Sequence, residues 1–368
     1  MQRFRESGDI DDVTRSIVRA RRAIALQPGN NWSSYEILAS ADGALHLFRQ
    51  ALAHERFALR DRPDDANASG QLASTEMELG RYREAGATIR RAVAKYRGDP
   101  GLLAVLARYD ELTGRLKEAR TYLARGAEST DSVIDNSAQS RAWFHYREGE
   151  TAFSAGSVDE AKRDERDALT IFPSFAPAYN SLARFCWATK DWPCALDSAA
   201  KGAGIVPLPE TLGYEADAQR ALGDVAGARR TDDLIVAIER IGNAYRVSDR
   251  LLAVYYSEHG IRLDDALRIA RRETTVRGDE IYAQDTLAWA AAMDGHWDEA
   301  RKAARLAVRF NTEDPRLQYH AGIIALHFGD RLEAARRLSR ALELNPHFHP
   351  IYADDAKVRL ASAGIPTP

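Results

Sequence analysis

What most restricts the fold of this chain is an interval. Alanine recurs at Ala51, Ala85, Ala119, Ala161, Ala195, Ala228, Ala266, Ala300 and Ala334; five of the eight steps are 34 residues and the others are 42, 33 and 38. Five residues before this marker a glycine recurs, as Gly80, Gly114, Gly156, Gly223, Gly295 and Gly329, with His46, Lys190 and Ile261 in the slot elsewhere. Twelve residues before it stands a second small residue, as Ala39, Ala73, Ala107, Gly149, Ala183, Ala216, Ala288 and Gly322; only Val254 breaks that series. A self-similar period of this length marks stacked supersecondary units. It also accounts for the length, because 368 residues exceed what one compact core usually organises, whereas an array grows in one direction.

Each fixed point has a physical reason. Two helices joined by a short turn approach closely only where small side chains face each other, and alanine is also the best helix former. Glycine supplies the turn conformation that other residues resist. A third small residue follows the marker by seven, as Ala58, Ala92, Gly126, Ala168, Gly202, Ala307 and Ala341. Proline at Pro28, Pro63, Pro173, Pro207 and Pro346 ends second helices and turns the chain into the next unit.

This pattern resembles that of tetratricopeptide-repeat (TPR) proteins, over nearly the whole chain. The stretch from Tyr179 to Pro207 carries it well: Tyr179, Leu182, Ala183, Trp192, Ala195 and Pro207 stand at unit positions 4, 7, 8, 17, 20 and 32. Units begin near Trp32, Ala66, Pro100, Ala142, Ala176, Pro209, Val247, Ile281 and Pro315. The resemblance implies an all-α fold, a right-handed α-solenoid (superhelix) of nine to ten stacked helix-turn-helix units. Residues 1–31 read as a partial repeat, mainly its second helix, so the chain is expected to begin partway through a unit. Units one to three fill 32–141, with an inserted loop at 129–139. Units four to six fill 142–246, the sixth with a lengthened second helix, and units seven to nine fill 247–348. Residues 349–368 are expected to supply a capping helix and tail, because a terminal unit must cover its open apolar face.

In such a solenoid first helices line the concave side, and unit positions 2, 5, 9 and 12 share one helix face. The early units place small polar residues there. The centre places Trp143, Tyr146, Glu150 and Phe153, then Asn180, Arg184 and Trp187, then Asp217 and Arg220; the late units place Tyr255, Asp285, Trp289 and Tyr319. Aromatic faces beside fixed polar groups suit a protein or peptide partner. The plain alternative is that some of these rings are wedged between units as core. A subset of the family grips chaperone tails with lysine, asparagine and arginine on successive first helices; that set is not found here.

Catalytic signatures are not found: no phosphate-cradling glycine loop, no nucleophile elbow, and acidic residues scattered on helix surfaces. The expectation is therefore a non-enzyme without cofactor. A net charge of -3 gives no reason to expect nucleic acid as a partner. No apolar run approaches the ~20 residues that cross a bilayer, and the first residues hold no signal-peptide core. Seven of the fifty-one basic residues are lysine, a usage like that of GC-rich bacterial genomes; periplasm and cytoplasm both stay open. Five of the nine histidines fall late, at His296, His320, His327, His347 and His349, but a metal site needs three converging ligands and none is assigned. Cys186 and Cys194 face each other across the turn of unit five, a candidate disulfide that resembles the stapled helix pairs of related bacterial repeat proteins; two reduced thiols are the alternative. The expected function is a non-catalytic protein-binding scaffold. The alternatives are a small-molecule or metal-binding accessory protein, a noncatalytic subunit of a larger assembly, and self-association through the solenoid ends.

Overall fold

The computed structural model describes residues 10–132, 136–244 and 250–362. Among them are twenty helices and no strand. A lone helix α1 (Ile10–Leu26) precedes nine hairpins. Units one to three are α2 (Trp32–Ala44) with α3 (Phe48–Asp61), α4 (Ala66–Glu78) with α5 (Tyr82–Lys95), and α6 (Pro100–Leu112) with α7 (Leu116–Asp131). Units four to six are α8 (Ala138–Ser154) with α9 (Val158–Ile171), α10 (Ala176–Ala188) with α11 (Trp192–Ile205), and α12 (Pro209–Ala221) with α13 (Val225–Ala244). Units seven to nine are α14 (Arg250–His259) with α15 (Leu263–Arg277), α16 (Ile281–Met293) with α17 (Trp297–Ala307), and α18 (Pro315–His327) with α19 (Arg331–Leu344). Helix α20 (Tyr352–Ser362) follows and packs on α19. The fold is an all-helical solenoid of repeats.

The marker alanines do what their spacing requires. Ala51, Ala85, Ala119, Ala161, Ala195, Ala266, Ala300 and Ala334 are 0% exposed and Ala228 is 1% exposed. The partner series is equally constrained: a β-carbon on Gly322 would lie 2.9 Å from the Leu338 side chain, and one on Gly149 would lie 2.8 Å from Glu165. Side-chain oxygens of Asp65, Asp99, Asp314 and Asp330 cap first or second helices by accepting backbone N–H bonds. The turn slot is left-handed at Gly80, Gly114 and Gly156, and also at His46 and Lys190.

Two irregularities take a form the sequence left open. The stretch 129–139 is helical at both ends: α7 runs on to Asp131 and α8 begins at Ala138, with 133–135 outside the described residues. Unit seven holds one extra turn residue. The bond from Ile261 N to Tyr256 O matches those from Arg81 N to Glu76 O and from Arg115 N to Asp110 O. The bond from Ala266 N to Arg262 O matches that from Ala85 N to Arg81 O. Ile261 and Arg262 thus share the place that one residue fills in the other units, Arg81 and Arg115 among them, and Gly260, not Ile261, is the turn residue with φ +63. The register of α14 shifts by one accordingly, so Ala253, 0% exposed, is the small residue that Val254 failed to be.

The solenoid is coiled tightly enough that its late units seat on its early ones. Tyr82 Oη in the turn of unit two accepts from Ile281 N at 3.1 Å, and Arg277 pairs with Glu78. In the turn of unit three, Leu112 O accepts from Thr312 Oγ1 at 2.7 Å and Leu116 N donates to Glu313 at 3.0 Å. In the turn of unit four, Phe153 O accepts from Asn345 Nδ2 at 2.7 Å. The chain separations are 199, 200 and 192 residues. The last is shorter because the lengthened step between units three and four lies outside it. Apolar packing follows the same seam: Ile281, Val308, Leu317 and Ala321 share one buried cluster with Ala73, Tyr82, Ile89 and Leu106. These early and late units therefore touch more than their chain neighbours, which units of a simple linear array do not do.

Candidate functional site: the hollow inside the superhelix

Closure of the coil turns the concave side into a hollow of about 480 Å³. Of the residues expected on the inner face, Trp143, Tyr146, Glu150, Asn180, Arg184, Asp285 and Trp289 line it. Asp217 and Tyr255 line a smaller neighbouring recess with Trp187 and His259. Phe153 and Trp187 lie in the core between units, 2% and 6% exposed, and Tyr319 packs in the late core cluster. Arg220 is exposed and pairs with Asp217 and Asp232.

The extra residue in the turn of unit seven explains part of this division. A shift of one position turns a helix face by about 100°. It swings Tyr255 out to the side recess and brings Arg250, Val254 and Ser257 to the hollow.

The early wall is a chain of ion pairs. Arg108 meets Glu111 at 2.9 Å, Arg147 meets the same carboxylate, and Arg184 grips Glu150 with bonds of 2.8 and 2.7 Å. Burial opposes the charges on Glu111 and Glu150, but these arginines outweigh it and hold both carboxyls below their ordinary value. Burial, reinforced by the Glu150 charge, pushes the Tyr146 hydroxyl up to about 12. Behind the wall Glu165 is 0% exposed, and neither of its oxygens has a hydrogen-bond partner. Burial first, and Glu150 second, push its carboxyl well above the usual range.

The late wall is looser. His320 Nδ1 lies 3.0 Å from Asp285, and its ring stacks on Trp289 at 4.2 Å. Tyr282 sits between the guanidiniums of Arg108 and Arg250, at 5.3 and 5.7 Å, and donates to Asp314 at 3.1 Å. Glu258 and Arg316 approach only to 3.9 Å. Burial raises the Glu258 carboxyl, with Arg316 opposing.

A second hollow of about 370 Å³ lies on the inner face of units one to three, lined by small residues that include Ser40, Asn67, Gly70, Ser74, Gly101 and Val105. Gly101, Val105 and Arg108 share one face of α6, so the two hollows lie end to end along that helix.

The serine and threonine hydroxyls in the larger hollow are committed to fixed acceptors: Ser181 donates to Glu150, Ser154 to Glu150 O, Ser257 to Ala253 O and Thr286 to Tyr282 O. Among the described residues none of these hydroxyls is paired with a free base. The late histidines do not converge. His327 stacks on Trp297 at 3.7 Å and His349 on Tyr352 at 3.8 Å. Among the described residues the one group with metal-ligand spacing is Cys186, Asp191 and Cys194. There the two sulfurs are bonded to each other, with alpha carbons 5.8 Å apart.

Several lining residues were absent from the inner face as read from sequence: Arg108, Glu111, Arg147, Glu210, Arg250, Glu258, Arg316 and His320. Arg108 and Glu111 occupy positions 9 and 12 of unit three, and Glu210 and Arg316 position 2 of units six and nine, so the same four slots hold them. Arg147 and His320 stand at position 6, one residue off the stripe. They reach the hollow because the coil curls around it.

Comparison with known proteins adds the following. A family model described as tetratricopeptide repeat matches residues 40–109. No curated protein matches. Among solved structures the chain is similar to the crystal structure of PilW, described as a widely conserved type IV pilus biogenesis factor. The identity is 20%, over 57% of this chain and 94% of that one, with a TM-score of 0.47.

Proposed function

We propose that this chain, a helical-repeat solenoid whose residues 40–109 match the tetratricopeptide-repeat model, is a non-catalytic scaffold that captures a segment of a partner protein on its inner face. The observation that carries the reading is continuity: first helices from every unit present one surface, and α6 joins its open stretch on units one to three to the mouth of the central hollow. The open stretch suits a peptide backbone. Gly70 and Gly101 leave room for it, while Asn67, Ser40 and Ser74 offer hydrogen bonds. Of the residues expected from sequence, Trp143 and Tyr146 are the ones we assign to partner contact where the segment meets the hollow.

The experiment places a photo-crosslinking residue at Val105 and another at Gln71, both on this stretch. The two positions should crosslink to neighbouring residues of one partner segment, and Val105→Glu should abolish capture with melting unchanged. Crosslinks confined to the outer helices, or capture that survives Val105→Glu, would refute the assignment.

A further inference from the structure

We propose that the central hollow is a binding site for a small zwitterion, of the class of a free amino acid or a dipeptide, held between Arg250 and Arg316 on one charge and Glu258 on the other. The inference rests on the late wall, whereas the scaffold reading rests on the open stretch over units one to three and meets the hollow only at Trp143 and Tyr146.

Size is the first argument. A volume of about 480 Å³ falls in the range of small-molecule sites, roughly 300–1,000 Å³. The enclosure comes from the seam, since first helices of units three to five face those of units seven to nine across it. Aromatic rings supply the apolar surface, chiefly Trp143, Tyr146, Tyr282 and Trp289.

Unmet hydrogen-bonding capacity is the second argument, and it has both signs. The early wall is satisfied within itself: Arg108, Arg147 and Arg184 each hold a carboxylate, and Glu111 and Glu150 are fully engaged. Glu210 accepts from Tyr214 at 2.8 Å, and Asp314 accepts from Tyr282. What remains faces the late wall. Arg250 makes no ion pair among the described residues, and its guanidinium lies 5.7 Å from the Tyr282 ring. The Arg316 guanidinium makes no hydrogen bond; its nearest carboxylate is Glu258, at 3.9 Å. The Glu258 side chain is 10% exposed and accepts no bond. Trp289 and His320 are 6% and 4% exposed and line the same space. Nε2 of His320 has no hydrogen-bond partner, and the Trp289 indole N–H is directed to the Tyr352 hydroxyl without a close bond.

Buried polar groups without partners are expensive, charged ones most of all. Here the weakly engaged groups are the part-buried guanidiniums of Arg250 and Arg316 on one side, and the Glu258 carboxylate, 3.9 Å from Arg316, with the unpartnered His320 Nε2 on the other. A simple anion would satisfy the first set and repel the second; a simple cation would do the reverse. A molecule that carries a carboxylate and an ammonium a few atoms apart answers both. A guanidinium can take its carboxylate through two parallel bonds, and Glu258 can accept from its ammonium.

The test titrates the intact protein with glycine, L-arginine, L-glutamate, L-tryptophan and glycylglycine by calorimetry, with melting temperature as the second readout. Each binder is then compared with its N-acetyl derivative, which lacks the ammonium, and its amide, which lacks the carboxylate. At least one zwitterion should bind and raise the melting temperature, and each derivative should bind at least about tenfold more weakly, because a site built for a charge rejects the analogue that lacks it. Glu258→Gln should remove the preference over the N-acetyl form, and Arg316→Gln the preference over the amide. The derivative comparison is made on the wild-type chain, so it holds even if a variant folds poorly. The proposal falls if no zwitterion of the panel binds, or if the blocked derivatives bind as well as their parents. Either failure leaves the crosslinking result over units one to three untouched.

Discussion

The seam between early and late units can be tested by one alanine placed in two equivalent turns. Gly80 and Gly295 hold the same slot of units two and eight, with φ of +69 and +80. Alanine in this left-handed conformation costs about 1–2 kcal/mol at either site. The surroundings differ. A β-carbon on Gly295 meets nothing within 4 Å, whereas one on Gly80 would sit 2.5 Å from the Asp279 carbonyl carbon and 2.7 Å from Glu280 N. Those are backbone atoms, and the bond from Ile281 N to Tyr82 holds them in place. Forcing them apart adds an overpacking cost of about 1–3 kcal/mol. Gly295→Ala should therefore destabilise by about 1–2 kcal/mol and Gly80→Ala by about 2–5 kcal/mol. Urea unfolding of both variants gives the difference, and hydrogen exchange at the Ile281 amide reports whether the contact itself opens. Equal losses at the two sites, with Ile281 exchange unchanged in Gly80→Ala, would mean that late units do not rest on early ones in solution.

Three further outcomes follow from particular contacts. Asn345 is 0% exposed and its amide satisfies Phe153 O; Asn345→Ala strands that carbonyl and should cost about 2–4 kcal/mol, against a small effect for Asn345→Ala in a fragment lacking units one to four. Glu55 is 3% exposed, accepts from Thr75 at 2.6 Å, and is pushed by burial up to about 7 from 4.5. The folded state thus binds this proton more tightly, so the contribution of Glu55 to stability is fully present below pH 4.5 and is lost as pH rises through about 7. Glu55→Gln should match wild type near pH 4 and exceed it by up to about 3 kcal/mol at pH 8; a gap that does not change with pH refutes this. The bond between Cys186 and Cys194 closes a short loop, and Cys194→Ser should lose on the order of 2 kcal/mol in thermal unfolding, with reductant abolishing the difference.

How much of this could be read from residues alone depends on what carried the signal. Helix starts at Trp32, Ala66, Pro100, Ala176, Pro209, Ile281 and Pro315 coincide with the unit starts read from the alanine period, because that period is itself the packing rule of neighbouring hairpins. Contacts between distant turns leave no periodic trace. Tyr82, Thr312 and Asn345 look like ordinary surface or loop residues until the coil brings their partners to them. The same holds for the site. Trp143, Tyr146 and Arg184 were legible because they fall on the inner stripe of regular units. Arg250 was not, because one added residue before Leu263 turned α14, and a 34-residue template has no place for it.

Arrays that touch only their neighbours can gain or drop a unit anywhere along their length. This one cannot do so freely. Tyr82 finds Ile281, and Leu112 finds Thr312, because a set number of hairpins carries the chain once around. Adding or deleting a whole hairpin between those partners would leave each turn facing the wrong loop, with its glycine against a different backbone. Copy number is thereby fixed within the circumference, and duplication is geometrically free only before α2 or after α20, because Asn345, His349 and Asp354 beyond α19 still contact units four and five.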